Sequence, residues 1–256
     1  MIMSKVKSNK KIVVFDFDGV ICDSTNECMV TSWNTWEAWN GRSDFRYSVE
    51  NFTTYEKVRF RALRPRVRGA GEYYVLNHLM QNNIVISTQA DYEKEVIKSQ
   101  HYFPEFKRIF FEQRNNLRNL DLKRWLGLHE GYPDVVNLIR ALNFSSNLYI
   151  ATLKDGQSVR LILESYGVDV PAERFYDQSM ISSKLEALKS IEIKEQCCRD
   201  DMIFIDDNVT HLIPPHNEGY PAVHAAWCGV LPEYLKLAEK SGITSIFECE
   251  DVSTFI

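Results

Sequence analysis

The pattern that most constrains this chain is a short, wholly apolar run that stops on a polar residue, and it occurs three times. Ile12-Val13-Val14-Phe15 stops at Asp16, Leu148-Tyr149-Ile150-Ala151 at Thr152, and Met202-Ile203-Phe204-Ile205 at Asp206-Asp207. A strand with one wet face alternates apolar and polar residues. An unbroken run instead signals a strand covered on both faces, as in a parallel sheet. In open α/β sheets, ligands bind outside the carboxyl ends of the strands. Three strands bringing Asp, Thr and Asp-Asp to one edge therefore point to a fold class and to a place for chemistry.

Helical patterns separate these runs. Val135, Leu138, Ile139 and Leu142 repeat at i, i+3, i+4, i+7, as do Val159, Ile162, Leu163 and Tyr166. Such one-sided helices suit packing on a sheet, and Gly167 is placed to end the second. Strand and helix in alternation predict right-handed crossovers and a doubly wound sheet. Ala222–Ala226 and Ser245–Phe247 are weaker strand candidates. From about Thr25 to His129 the pattern changes to helical periodicity: Met29, Trp33 and Trp36 form one stripe, and Tyr73, Leu76, Leu79 and Met80 another. Pro104 is placed to open or kink a helix carrying Phe106, Ile109 and Phe110. The run Ile84-Val85-Ile86-Ser87 could be a strand. The reading is a core of residues 1–24 and 130–256 with a helical insertion at 25–129, whose return is marked by Gly127, Gly131 and Pro133.

Composition narrows the class. In 256 residues, 30 Lys+Arg stand against 35 Asp+Glu, a net charge of −5, and apolar residues make up 45%. This is globular chemistry that can bury a core, and its mild acidity argues against a nucleic-acid partner. No apolar run is long enough to cross a bilayer. The basic lead of MIMSKVKSNK meets only Ile12–Phe15 before Asp16, too short for a secretion signal, so a cytoplasmic location without a membrane partner is expected. The six cysteines, Cys22, Cys28, Cys197, Cys198, Cys228 and Cys249, form no CxxC, and His211 and His216 do not share the i, i+4 spacing. A zinc site is not expected, and the thiols read as structural in a reduced compartment.

The first strand runs into Asp16-Phe17-Asp18-Gly19-Val20. Of two carboxylates two apart, one can be a nucleophile and the other an acid and base, and the cluster can hold Mg²⁺ through hard oxygen ligands. Alone, the DxD could be a surface turn. Thr152, before a helix start, suits a phosphate oxygen, although it could be a plain cap. Lys184 could add positive charge, or be a solvated helix residue. Asp206-Asp207 could complete a cation site, or cap a helix. All four, in order and at strand ends, are unlike coincidence.

In that order, DFDGV, ATLKDG, Lys184 and FIDDN resemble the haloacid dehalogenase superfamily of aspartate-nucleophile phosphatases, over about residues 1–24 and 130–256. The resemblance implies a Rossmann-like core with an inserted helical cap. It casts Asp16 as the nucleophile on phosphorus and Asp18 as the acid that protonates the leaving group and later activates water. It implies that Thr152 and Lys184 bind the phosphoryl oxygens. Mg²⁺ would be held by the Asp16 side chain, the Asp18 backbone carbonyl and the Asp206-Asp207 motif. Two departures stand out. No proline follows Lys184, so Lys189 competes with it for the lysine role, with Lys184 preferred because it opens a helix near the edge where a phosphate would sit. Asn208 follows the acidic pair, with no acid four residues on, so either Asp could be the direct ligand, with Asp206 preferred. More than a hundred residues separate Asp16 from Thr152, and only about thirty separate Thr152 from Lys184, which places the cap after the first motif, as in phosphoglycolate phosphatase-like proteins.

Within the cap stretch, Arg59, Arg61, Arg64, Arg66 and Arg68 crowd ten residues. Arg66 and Arg68 are candidates for an anionic substrate group, against a solvated face paired with Glu50, Glu56 or Glu72. Trp33, Trp36 and Trp39 read as cap packing. The expected function is a Mg²⁺-dependent phosphatase for a small phosphorylated metabolite. A phosphomutase shares every core residue, and a non-catalytic phosphate-binding regulatory module is the alternative of a different class.

Overall fold

The computed structural model describes residues 11–145 and 147–256. The basic lead and the reading of no secretion signal in the first ten residues lie outside them. Among the described residues, no helix is long and apolar enough to cross a membrane. The strands, in chain order, are β1 (Ile12–Phe15), β2 (Cys22–Asp23), β3 (Glu130–Gly131), β4 (Leu148–Ala151), β5 (Phe175–Tyr176), β6 (Met202–Asp206), β7 (Ala222–Ala225) and β8 (Thr244–Ile246). The chain divides into two compact units. One takes in the described residues up to Ile21, with Pro133–Trp227 and Ala238–Ile256. The other takes in Cys22–Tyr132 and Cys228–Leu237.

The first unit is built on a six-stranded sheet in the order β5-β4-β1-β6-β7-β8, parallel throughout. Every residue of β1, β4, β6 and β7 is buried, as the apolar runs of β1, β4 and β6 require. The strand order turns at β1, with β4 and β5 on one side and β6 to β8 on the other. Phe15 registers with both Ile150 and Ile205, so the three predicted strands end level with one another. The crevice for a ligand in such a sheet opens at this turning point.

Two helices show how the sequence pattern becomes packing. In Pro133–Phe144, the buried residues are Val135, Val136, Ile139 and Leu142. In Gly156–Ser165, they include Val159, Ile162 and Leu163, and each fully buried side chain of this size contributes about 1.5–3 kcal/mol. Gly167, at φ +72°, turns the chain out of the second helix, and Val168 N–H closes the end on Leu163 C=O at 2.9 Å. Both weaker candidates are strands, as β7 and β8. The two-residue β5 was not anticipated, because Phe175-Tyr176 is too short to show a period.

The second unit carries β2 and β3, paired antiparallel, and is otherwise helical. Its helices span Thr25–Trp39, Thr54–Leu63, Tyr73–Gln81, Gln89–Ser99, Phe103–Leu120 and Leu122–Leu126. Local chemistry sets their starts. Thr53 and Glu56 exchange side-chain-to-backbone bonds in a capping box. Thr88 and Asp121 cap the helices that follow them, and Pro104 sits in the first turn of its helix. The tryptophans do pack: Trp33 meets Phe52 edge-on, and Trp39 contacts Tyr74, Tyr102 and Phe106. One expectation fails. Residues 84–87 are not a strand. They follow a helix end at which Arg59 donates to Leu79 O and Ile84 O at 2.7 and 2.8 Å, and Val85 is exposed. Three apolar residues with no adjacent strand have nowhere to pair.

Inside this unit Glu27 and Arg114, both buried, join the first and fifth helices by two bonds, Arg114 Nε to Glu27 Oε1 at 2.8 Å and Nη2 to Oε2 at 2.9 Å. Thr31 Oγ1 donates to Glu27 Oε1 at 2.6 Å. Breaking one side of such a pair strands a charge away from water. Arg114→Met should therefore lower stability by about 3–5 kcal/mol, and the double variant Glu27→Gln/Arg114→Met should recover part of that loss, as measured by urea denaturation.

Candidate functional site

The site grows from the level strand ends of the first unit. Asp16 directly follows β1, and its backbone N–H donates to Ile205 O at 2.8 Å, which carries the ladder one residue past the strand. The chain then turns, with Ile21 N–H closing on Phe17 C=O at 2.9 Å. Gly19 sits at φ +80°, and a Cβ there would come within 2.3 Å of Asp207 Oδ2. Only glycine fits both the left-handed backbone and the close approach. Thr152, buried after β4, donates its N–H to Tyr176 O at 2.9 Å and accepts Lys154 N–H on Oγ1 at 3.1 Å.

Lys184 opens the Lys184–Glu195 helix, capped by Ser183. Its ammonium is buried and donates to Asp16 Oδ1 and, at 2.6 Å, to Ala151 O; Asp206 Oδ2 lies 3.4 Å away. Asp206, at the end of β6, is fully buried; its Oδ1 accepts Asn208 N–H at 2.8 Å, and His211 Nδ1 lies 3.5 Å from Oδ2. Oxygens of Asp16, Asp206 and Asp207 all lie within 4.8 Å of one another. Of the two lysines considered from sequence, Lys184 is the one at Asp16. Lys189 is exposed and pairs with Glu218 at 3.2 Å.

Burial and charge divide the carboxylates. Burial pushes Asp16 up to about 6, against the pull of Lys184 and with the repulsion of Asp206 and Asp18 adding to it. Burial also acts on Asp206, but Lys184, His211 and the Asn208 N–H together hold it below the usual carboxylate range. Desolvation would neutralise Lys184, yet Asp16 and Asp206 outweigh it and keep the ammonium charged.

Three polar residues were not among the candidates from sequence, although His211 was weighed there with His216 for a zinc site. Lys154, buried, has its ammonium 3.1 Å from Asp18 Oδ1. Its place two residues after Thr152 was the available signal. His211 lies beside Asp206, as above. His224 lies buried in the middle of β7, where burial holds its imidazole below the usual range.

The remaining predicted residues, Arg66 and Arg68, belong to the second unit. Arg66 is buried, donates to Gln89 Oε1 at 3.3 Å and lies 4.0 Å from Glu233 Oε1. Arg68 faces two carboxylates, Glu72 and Glu93, each at 3.0 Å.

The carboxylate groups suit a hard cation. Three acidic side chains cluster where one ammonium pairs with only two of them, Asp16 and Asp206, and Asp206 Oδ2, out of water, accepts no hydrogen bond. Oxygen donors of this kind match Mg²⁺ better than a soft metal.

Comparison with known proteins agrees with this architecture. A family model described as haloacid dehalogenase-like hydrolase matches residues 10–214, and the chain belongs to that family. Among solved structures, a predicted phosphoglycolate phosphatase from Haemophilus somnus 129PT is 17% identical over 97% of this chain and 99% of its own, with a TM-score of 0.62. A hydrolase from Pseudomonas syringae is 15% identical over 96% and 97%, with a TM-score of 0.60. A haloacid dehalogenase-like family protein from Streptococcus pneumoniae is 13% identical over 96% and 98%, with a TM-score of 0.58. At these identities the likeness establishes the fold. No curated protein gives a significant match.

The elevated Asp16 has a pH signature in metal-free protein. The folded chain keeps the Asp16 proton up to about pH 6, whereas the unfolded chain releases it near the ordinary value of 3.8. Stability from this group is therefore full below pH 3.8 and is lost as pH rises through 6. Asp16→Asn, which removes the charge, should exceed wild type in stability at pH 8 by on the order of 3 kcal/mol. The gap should close as pH falls below 4, read from melting curves taken in chelator.

Proposed function

We propose that this hydrolase is a Mg²⁺-dependent phosphatase that removes phosphate from a small phosphorylated metabolite through an aspartyl-phosphate on Asp16. The observation that carries the reading is the buried contact of Lys184 with Asp16, beside Asp206 and Asp207, at the turning point of a parallel sheet. The resemblance of the core motifs, and the likeness to a predicted phosphoglycolate phosphatase from Haemophilus somnus, point the same way.

The chemistry follows from charge. A carboxylate nucleophile and a phosphomonoester are both anions, so phosphoryl transfer here needs positioning and neutralisation. Lys184 holds one Asp16 oxygen and steers the other toward phosphorus. The Thr152 hydroxyl and the backbone N–H groups at the start of the Gly156–Ser165 helix suit phosphoryl oxygens. Asp18, oriented by Lys154, is the group for protonating the leaving oxygen and then activating water against the acyl phosphate. Asp16, Asp206 and Asp207 would hold Mg²⁺, which supplies a positive charge for the phosphoryl oxygens. Within the helical unit, Arg66 and Arg68 are the candidates for holding an anionic group. Since Arg68 already meets two carboxylates, Arg66 is the stronger of the two.

Hydrolysis of p-nitrophenyl phosphate, with and without Mg²⁺, is the direct test. Turnover should be lost in chelator and return with Mg²⁺, and Asp16→Asn should fall to background while staying folded. Asp16→Asn activity within about tenfold of wild type would remove Asp16 as nucleophile. Asp18→Asn should slow an alkyl phosphate far more than the aryl one, because a nitrophenolate leaves without a proton. Asp206→Ala should weaken Mg²⁺ activation more than Asp207→Ala, and the reverse order would move the principal ligand to Asp207.

A further inference from the structure

His224 is out of character with its strand. β7 reads Ala-Val-His-Ala, all four residues are buried, and the other three are small or branched apolar residues. A valine at this position would fill the layer and favour the strand, whereas a buried imidazole must find partners for both nitrogens. It has them. Nε2 lies 3.1 Å from the backbone carbonyl of Asp207, and Nδ1 lies 2.9 Å from Ser245 Oγ on β8. A carbonyl can only accept, so Nε2 carries the proton and donates it. In the neutral ring Nδ1 then accepts from the Ser245 hydroxyl. The parallel register sets His224 directly beside Asp206. A chain of two hydrogen bonds thus runs across three strand ends, from β8 through β7 to the loop that follows β6. It ends on the peptide between the acidic pair and Asn208.

We infer that His224 is a positioning residue for the Asp206-Asp207 pair, fixing the loop so that both carboxylates face Asp16 in a geometry ready for a divalent cation. The inference rests on the metal reading above and adds to it a residue that touches neither metal nor substrate. The loop has little slack. Asp207 Oδ2 occupies the space a side chain on Gly19 would take, and Asp206 Oδ1 is tied to Asn208 N–H. A shift of the Asp207 carbonyl would move carboxylates on both sides of it. Groups that orient a metal ligand from behind are commonly worth about ten- to a hundredfold in affinity or activity.

The test uses the position of the donor. In place of histidine, the amide nitrogen of Gln reaches where Nε2 lies, and that of Asn reaches where Nδ1 lies. Mg²⁺ is titrated calorimetrically into full-length wild type, His224→Gln, His224→Asn and His224→Leu, with thermal melts of each. Gln should bind Mg²⁺ within about threefold of wild type, while Asn and Leu weaken it by about tenfold or more. For Asn and Leu, kcat on p-nitrophenyl phosphate should fall with KM little changed. A purely structural histidine would shift melting temperatures without separating Gln from Asn. Equal Mg²⁺ affinity in Gln and Asn, or wild-type affinity in Leu, overturns the inference. If Leu fails to fold, the comparison of Gln with Asn decides alone. Wild-type protein that takes up no Mg²⁺ removes the metal reading and this inference together. Wild-type binding with no difference among folded variants removes only the inference.

Discussion

One ammonium group holds the site together. Lys184 comes from the start of a helix and lies out of water between Asp16, Asp206 and the Ala151 carbonyl, so it joins the ends of β1, β4 and β6 at one point. A buried charge is tolerated only when paired and hydrogen-bonded, and here each partner needs the others. Without Lys184, Asp16 and Asp206 would be adjacent buried anions. Without the carboxylates, the ammonium would be a stranded cation. The arrangement still leaves an excess of negative charge, since Asp207 adds a third carboxylate to the group. That excess separates a binding site for a cation from an ordinary buried ion pair.

The sheet makes this possible at little cost in backbone strain. All strands run parallel, and Phe15 stands level with Ile150 and Ile205, so the next residues of three distant segments emerge together. At the site itself, the left-handed backbone of Gly19 leaves the space that Asp207 takes. The catalytic geometry is thus mostly a property of register, and the side chains refine it.

This explains what could be read from sequence. The runs at Ile12, Leu148 and Met202 are legible because burial on both faces leaves no polar residue inside them, and their terminal polar residues stand out for that reason. The preference for Lys184 over Lys189 was also legible, since Lys184 opens a helix near the sheet edge where a phosphate would sit. Lys154 was not, because a lysine in a turn looks like any solvated charge until its burial against Asp18 is known. His224 sat in plain view as the one polar residue of its strand, but its partners come from an acidic loop and a further strand. The run at Ile84 misled in the opposite direction. Its residues suit a strand, and what removes it is the absence of a neighbour, which composition does not record.

The central place of β1 has a consequence in time. Among the described strands it is made before the others, and its sheet partners β4 and β6 both come more than a hundred residues later. The helices of Thr25–Leu126 pack among themselves, the first against the fifth, and those contacts can close while β1 waits. During synthesis, Ile12–Phe15 is therefore an apolar strand with both edges open, the kind of segment that pairs wrongly or recruits a chaperone. Asp16 and Asp18, standing directly after it, place charge at the end of that exposed run well before they have any substrate to meet.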